Sequence, residues 1–374
     1  MNILMIPSWY PTPEMPMLGT FYQEQARALA ARGVRVAVIY TDVNGRLRGN
    51  GTTAFTEKGV YTIIRQRLNL TPRLEGGRVI QRKRLLKAAY ARLLKEWGRP
   101  DLINLRSSLQ GYEALDLCKR ERLPLFFMEH SSFVVTEPPG SPAQKRLAAV
   151  MKEAAVTAAV SSALAERLKP YGPVRVIPDL VDTDRFLPDP GPRADGPFRF
   201  RAMGQLRPIK GYDLLIDAFA LLTARCDRPV ILEIAGAGAL KEALQTRINE
   251  KGLGDRCRLV GIVPREQTPA FMNGCDCFIC SSRYETLSCV LNEAASCGKP
   301  VISTDCGGPR DIVTGETGLL VPPENPAALA DAMEKMLATA AGYDSTRIRE
   351  LTLSRFGADS VCERLLAACK EAIK

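Results

Sequence analysis

The sequence predicts an α/β protein made of two Rossmann-like, doubly wound domains in tandem. Three observations carry that expectation. Short apolar runs alternate with amphipathic stretches along almost all of the 374 residues, which is the pattern of a parallel sheet covered by helices on both faces. The alternation is interrupted once, near the middle, by LPDPGPRADGP at 187–197, the best linker candidate in the chain. The chain is also long enough for two cores, and its 46% apolar and 25% charged residues suit a folded globular protein.

The elements follow in order. Before the linker, NILMIP (2–7), VRVAVIY (34–40), DLINL (101–105), LPLFFM (123–128), TAAV (157–160) and VRVIP (174–178) read as strands. Helices are predicted at 21–32, 78–97, 111–122 and 142–154. After it, FRFRAMG, VILEIAG, CRLVGIV, CDCFICSS, KPVIST and GLLVP form a second strand series, with helices at 211–224, 239–251, 266–273, 288–297 and 325–338. Residues 344–374 are helical with no strand to follow. Ligands in such sheets bind beyond the carboxyl ends of the strands, and two sheets facing each other would make a cleft.

Composition excludes several classes. No run is long and apolar enough for a transmembrane helix; Ala154–Ala165, the longest weakly polar stretch, falls short. The start, MNILMIPSWYPTP, has no charged n-region and three prolines, so it is not expected to be a secretory signal. Ten of the eleven cysteines lie beyond residue 225, and reduced thiols in a cytoplasmic protein are the simplest reading. The C-x-x-C in CDCFIC (275–280) sits in a buried-strand pattern, where cysteine packs as a small hydrophobe rather than as a metal or redox ligand.

The net charge of +10 is uneven. Residues 1–187 hold 28 Lys+Arg against 17 Asp+Glu, which is +11, and the remainder is −1. Eight basic residues and one acidic fall in 78–99, RVIQRKRLLKAAYARLLKEWGR, where Leu85, Leu86, Ala89, Leu93 and Trp97 recur at helical spacing. This basic amphipathic helix reads either as a solvated surface helix or as a dock for an anionic membrane surface. Nucleic acid is not expected as a partner, because no reading motif accompanies the charge.

Chemistry-bearing residues cluster after strands. Gly19 opens the first helix, where a phosphate can approach free backbone N–H groups. In RAMGQLRPIKGYDLLIDAF, Gly204 ends a strand, and Arg207 and Lys210 stand in a strand–helix loop that suits a diphosphate. In SSRYETLSCVLNEAASCGKPVIST, Ser288 is a plausible N-cap, with 289–297 as helix and Gly298 as its stop. Backbone N–H groups around Thr286, Leu287 and Ser288 then form a second anion site. Glu285 precedes that helix end and Glu293 lies just over a turn inside it. A carboxylate there can accept hydrogen bonds from vicinal hydroxyls.

Jointly these motifs are similar to those of family 4 retaining glycosyltransferases, which have the two-Rossmann-domain (GT-B) architecture. The resemblance rests on S-x-x-E-x7-E-A with the later G-x-P-V-I-x-T, and on G-x-L-x-x-x-K-G about 80 residues earlier. It extends to YPTPEMPMLGTFYQEQARALAARGVRV, FMEHSS, VSSAL, VIPDLVDTDRF, LVGIVP and TDCGGPRDIV, in the family's order. It implies an acceptor-binding domain at 1–187, joined by a returning C-terminal helix at about 356–374, and a nucleotide-sugar-binding domain at 188–355.

The implied activity is transfer of a hexosyl group from a nucleoside-diphosphate-sugar (UDP or GDP type) to an acceptor hydroxyl, with retention of configuration and no metal or other cofactor. The acceptor would be a glycan or a lipid-linked molecule, in polysaccharide or glycolipid synthesis. The protein would be cytoplasmic, with a peripheral place on the inner membrane face open to it. Glu293 would hold the ribose, Glu285 would meet the donor sugar, and Arg207 and Lys210 would neutralise the diphosphate, helped by backbone at Gly19 and 286–288. His130, the sole histidine, would contact the donor sugar. A nucleotide-sugar epimerase or phosphorylase on the same scaffold, and a non-catalytic nucleotide- or membrane-binding protein, are the alternatives. Two departures stand out: Pro178-Asp179-Leu180 replaces the family's Pro-Asn-Gly, and Thr286 replaces a common glycine. The D-x-D at 182–184 falls in the linker match and reads as structural.

Overall fold

The computed structural model describes residues 1–43, 50–67, 75–132, 136–189 and 196–374; most of the predicted linker, 190–195, lies outside them. The chain divides into two compact units. One comprises 1–160, 164–180 and 361–374, the other 161–163 and 181–360.

Among the described residues the first unit holds eight strands: Asn2–Pro7 (β1), Arg35–Asp42 (β2), Gly51–Glu57 (β3), Val60–Gln66 (β4), Leu102–Arg106 (β5), Leu125–Glu129 (β6), Val156–Ala159 (β7) and Arg175–Val176 (β8). They lie in the order β3-β4-β2-β1-β5-β6-β7-β8, parallel throughout except where β3 runs against β4. Every residue of β5 and β6 is buried, which explains their unbroken apolar runs: helices cover both faces. The β3–β4 hairpin escapes the sequence pattern because β3 is an exposed edge strand with no apolar run. Its turn has Lys58 and Gly59 both at positive φ, 46° and 78°, the geometry that matches strand twist in a two-residue hairpin.

Thr20–Ala30 (α1), Glu75–Glu96 (α2), Gly111–Glu121 (α3) and Pro142–Glu153 (α4) pack on this sheet. The basic amphipathic helix is α2. Its Leu85, Leu86, Ala89, Tyr90 and Leu93 are all buried in the core, so its apolar stripe serves the fold. Arg82 lies 3.7 Å from Glu113, Lys83 3.0 Å from Asp116 and Arg92 2.7 Å from Glu96. Arg84, Lys87 and Lys95 are left exposed.

Ser162–Leu168 (α5) follows β7. The second unit has Phe198–Met203 (β9), Val230–Ala235 (β10), Cys257–Gly261 (β11), Cys277–Cys280 (β12), Val301–Thr304 (β13) and Gly318–Val321 (β14). Their order, β11-β10-β9-β12-β13-β14, is wholly parallel. Its helices are Tyr212–Arg225 (α6), Lys241–Glu250 (α7), Thr268–Asn273 (α8), Cys289–Ser296 (α9), Pro326–Thr339 (α10) and Ser345–Phe356 (α11). Phe200, Phe219, Leu232, Ile279 and Met333 anchor the core. The strand order reverses between β9 and β12. The loops after those two strands therefore flank the crevice where doubly wound sheets bind ligands.

The helical tail expected at 344–374 is two helices. Gly357 takes an extended conformation after α11, and Ala358–Ile373 (α12) follows. Val361, Cys362, Leu365, Ala368, Cys369 and Ala372 give α12 one buried stripe, and its residues from 361 onward belong to the first unit.

Candidate active site

The loop after β9 is laced to the loop after β12. Gly204 closes β9 and donates its N–H to Ala235 O at 3.0 Å. The chain then makes a short turn at Pro208–Lys210 and enters α6 through Gly211 at φ 61°. A Cβ at Gly211 would stand 2.1 Å from Ser281 O, so only glycine fits both the backbone angle and the contact. Ser281 Oγ donates to Lys210 O at 3.0 Å, and the Arg283 N–H donates to Ile209 O at 2.8 Å. The Arg283 guanidinium adds bonds to Pro208 O and to both Asp213 oxygens, at 2.5, 2.9 and 2.7 Å. Burial opposes charge on Asp213, but the Arg283 bonds outweigh it and hold that carboxyl below its usual range.

This lacing brings Lys210 and Glu285 together. Lys210 Nζ donates to Glu285 Oε1 at 2.6 Å, and Ser282 Oγ donates to the same oxygen at 2.7 Å. Burial works against the ammonium charge, yet the Glu285 carboxylate more than offsets it and pushes Lys210 up to about 12. Glu285 is itself fixed by backbone: its N–H reaches Cys306 O at 3.3 Å and its carbonyl accepts from Gly308 N at 2.9 Å. Arg207, by contrast, is exposed, and its contact with Gln205 Oε1 is 3.5 Å, at the limit of a hydrogen bond.

Ser288 occupies the N-cap position of α9, as read from the sequence, but not in the expected way. It sits at φ 83° and ψ 77° and makes no side-chain cap bond. Its hydroxyl turns to Cys280 Sγ, 3.6 Å away. First-turn N–H groups of a helix have no intrahelical acceptor, and here no serine side chain takes them. Leu287 and Ser288 are buried and Thr286 is half-buried. The helix stops at Ser296, one residue earlier than predicted, with Gly298 at φ 71° just beyond.

Glu293, on α9, is 9% exposed and accepts from Arg265 Nη1 at 2.5 Å. The Arg265 guanidinium lies over the Phe186 ring, 4.9 Å from its centroid. Sequence reasoning missed Arg265, since nothing near VPREQ signals a contact 28 residues on.

In the first unit, Gly19 caps α1 at φ 70°, and a Cβ there would lie 2.6 Å from Trp9 O. His130 follows β6. Glu129 holds that strand end: it accepts from the His130 and Ser131 N–H groups, each at 2.9 Å, and from Ser108 N and Oγ at 3.1 and 2.6 Å. The His130 ring is 6% exposed with its residue, edge-on to Tyr22 at 4.8 Å, with Nδ1 3.2 Å from Asp179 Oδ2.

Cys275, Cys277 and Cys280 are buried and free, each bonding elsewhere: to Met272 O, Phe278 O and Ser282 Oγ. Among the described residues no group of three or more His, Cys, Asp or Glu converges as metal ligands. Asp182 of the D-x-D accepts from Arg185 N at 3.2 Å and so closes its own turn.

Residues 18–185 match the family model described as Glycosyltransferase Family 4, and 185–348 the model described as Glycosyl transferases group 1. The chain belongs to glycosyltransferase family 4. A GDP-mannose-dependent alpha-(1-6)-phosphatidylinositol monomannoside mannosyltransferase of Mycobacterium tuberculosis is 31% identical to this family 4 chain over 198 residues, covering 49% of it and 51% of the relative. The chain spans about half the length of the curated relatives it matches. Whole-chain likeness comes from solved structures. Sucrose-phosphate synthase from Thermosynechococcus elongatus aligns with a TM-score of 0.78 at 22% identity, covering 99% of this chain and 98% of that one. Anabaena HepE in complex with UDP and glucose aligns at 0.76 and 18%, covering 99% of each. Both likenesses are to the fold, the GT-B architecture of two parallel-sheet α/β domains.

Proposed function

We propose that this protein transfers a sugar from a nucleoside-diphosphate-sugar to an acceptor hydroxyl, with retention of anomeric configuration and without a metal. The observation that carries the reading is the Lys210–Glu285 pair beside the uncapped start of α9, at the reversal point of the second sheet. In this reading the C1–O bond to the diphosphate breaks and its electron pair goes to the phosphate oxygen. Lys210, Arg207 and the backbone N–H groups at 286–288 stabilise that growing charge. The acceptor oxygen bonds to C1 and its proton goes to the departing phosphate oxygen, so no protein nucleophile is called on.

Glu293 takes the ribose hydroxyls, Glu285 and His130 the donor sugar, and backbone at Gly19 assists the phosphates. The first unit takes the acceptor. The mycobacterial relative, a GDP-mannose-dependent phosphatidylinositol monomannoside mannosyltransferase, favours a lipid-linked acceptor and a GDP donor, whereas the HepE complex holds UDP. Docking on an anionic membrane would rest on exposed Arg84, Lys87 and Lys95 with Ile80 and Leu94, 54% and 39% exposed. Equal flotation with neutral and anionic liposomes would sink that part.

A panel of nucleotide-sugars, screened for thermal protection and for transfer to glycan and glycolipid acceptors, tests the whole. One donor is expected to protect and to turn over, with unchanged anomeric configuration by NMR and no loss in EDTA. Conversion of the donor with no acceptor present would favour an epimerase instead. Full transfer by both Lys210→Ala and Glu293→Ala would overturn the assignment.

A further inference from the structure

Behind His130 the first unit holds a polar chain that the proposed reaction does not use. Asp179 is 4% exposed as a residue. Its Oδ1 accepts from Gln25 Nε2 at 2.5 Å, and its Oδ2 lies 3.2 Å from His130 Nδ1. Gln25 is fully buried on α1, and the side chains of His130 and Asp179 are 3% and 5% exposed. The same interior contains Arg106, at the end of β5, fully buried. Its Nη1 reaches Met128 Sδ at 2.8 Å, while Nε and Nη2 have no hydrogen-bond partner among the described residues. Asp179 is the foremost opposite charge acting on it.

These facts constrain the imidazole. Oδ1 of Asp179 is already taken by the Gln25 amide, so Oδ2 is the oxygen left to face the imidazole. A carboxylate oxygen accepts hydrogen bonds, so the Nδ1 facing it carries a proton. In the neutral ring that leaves Nε2 as a bare acceptor. Nε2 is buried and has no partner among the described residues, a condition that buried polar atoms rarely keep unless a ligand or water completes them.

We propose that Asp179 is a positioning residue: it fixes His130 in the Nδ1–H form and so presents Nε2 to accept a hydrogen bond from a hydroxyl of the bound sugar. This rests on the reading of His130 as a donor-sugar contact. It gives a role to the departure at 178–180, where aspartate stands in place of the asparagine of the resembling pattern. A neutral amide in that place would supply an acceptor oxygen without the charge.

Because the chain has one histidine, its ring can be read directly. With 15N-histidine-labelled protein and no ligand, the wild type is expected to show a protonated Nδ1. Asp179→Ala is expected to move the proton toward Nε2, the tautomer that an unconstrained imidazole favours. An unprotonated Nδ1 in the wild type, or ring nitrogens unchanged in Asp179→Ala, would overturn the proposal. If the alanine variant does not fold, Asp179→Asn decides: Nδ1 stays protonated, but its proton resonance moves upfield as a neutral acceptor replaces a charged one. An unmoved resonance counts against Asp179 as the partner. In transfer assays, Asp179→Ala should lower kcat about as much as His130→Ala, and the double variant no further. Independent, multiplying losses would refute the coupling. The ring experiment needs no donor, so its failure is distinct from failure of the glycosyltransferase reading.

Discussion

Replacing Lys210 with methionine removes the ammonium and keeps most of the volume of the side chain. The ammonium stands 26% exposed against a Glu285 carboxylate that is 11% exposed. Its pKa rises to about 12 against an ordinary 10.5, a difference of about 1.5 units or ~2 kcal/mol. Because the folded value lies above the unfolded one, that stabilisation is fully present below pH ~10.5 and is lost as pH rises through about 12. At pH 7 Lys210→Met should therefore lose ~2 kcal/mol, and Glu285→Gln a similar amount. The double variant should lose scarcely more than either, a coupling of ~2 kcal/mol in the cycle. Denaturant unfolding of the four proteins at pH 7 measures this. Strictly additive losses would refute the pairing. Arg207→Met is the companion. Exposed, and held among the described residues by a 3.5 Å contact, it should leave stability within ~0.5 kcal/mol, yet lower transfer as Lys210→Met does, by roughly 10²–10³-fold. A variant of Arg207 with full transfer would remove that residue from the site.

Gly211→Ala and Gly252→Ala have nearly the same backbone, φ 61° and 63°, but a new Cβ meets Ser281 O at 2.1 Å in the first and open space in the second. Gly252→Ala should cost ~1 kcal/mol for the left-handed angle alone. Gly211→Ala should cost at least ~2 kcal/mol more by unfolding and reduce transfer, since separating the two loops displaces Lys210; equal costs would show that the close contact is not made. Native alkylation at pH 8 should label Cys226 and Cys289, the two partly exposed thiols, well before the others. Burial pushes Cys118, Cys257, Cys275, Cys297, Cys306 and Cys369 up to about 12, which leaves little thiolate. Mass spectrometry showing rapid labelling at Cys275 would contradict its burial.

What could be read in the sequence was what local pattern determines. Buried parallel strands are apolar on both faces, so β1, β2, β5 and β6 stood out as runs. The β3–β4 hairpin did not, because an exposed edge has no such run. Ser288 was legible as a helix start from its residue type, but its φ of 83° and its turn toward Cys280 depend on the strand beneath it. The bend at Gly357 between α11 and α12 was not legible either, since the tail read only as helical over 344–374. Partnerships were the least legible part. Lys210 meets Glu285 across 75 positions and Gln25 meets Asp179 across 154, separations at which only the folded topology decides who is adjacent. Periodicity likewise showed that α2 was amphipathic, but not that its apolar face was already taken by the core.

The carboxylate at Glu285 poses a further question, because it stands where the proposed reaction wants positive charge. Arg207 and Lys210 contribute two charges to the loop and Glu285 removes one, while Lys210 retains two donors beyond the one given to Glu285. If diphosphate affinity were all that mattered, glutamate would be a poor choice. Its presence makes sense if it lines up the sugar and holds Lys210 for the moment when charge develops on the leaving phosphate. Glu285→Gln should then separate binding from turnover. Removing one negative charge near the diphosphate is worth ~1 kcal/mol after screening, so UDP or GDP should bind about fivefold tighter by calorimetry. Transfer should nonetheless fall by roughly 10–100-fold, with kcat carrying the loss. Weaker nucleotide binding by Glu285→Gln would mean that orienting Lys210 outweighs the charge Glu285 cancels, and the division of labour argued here would fail.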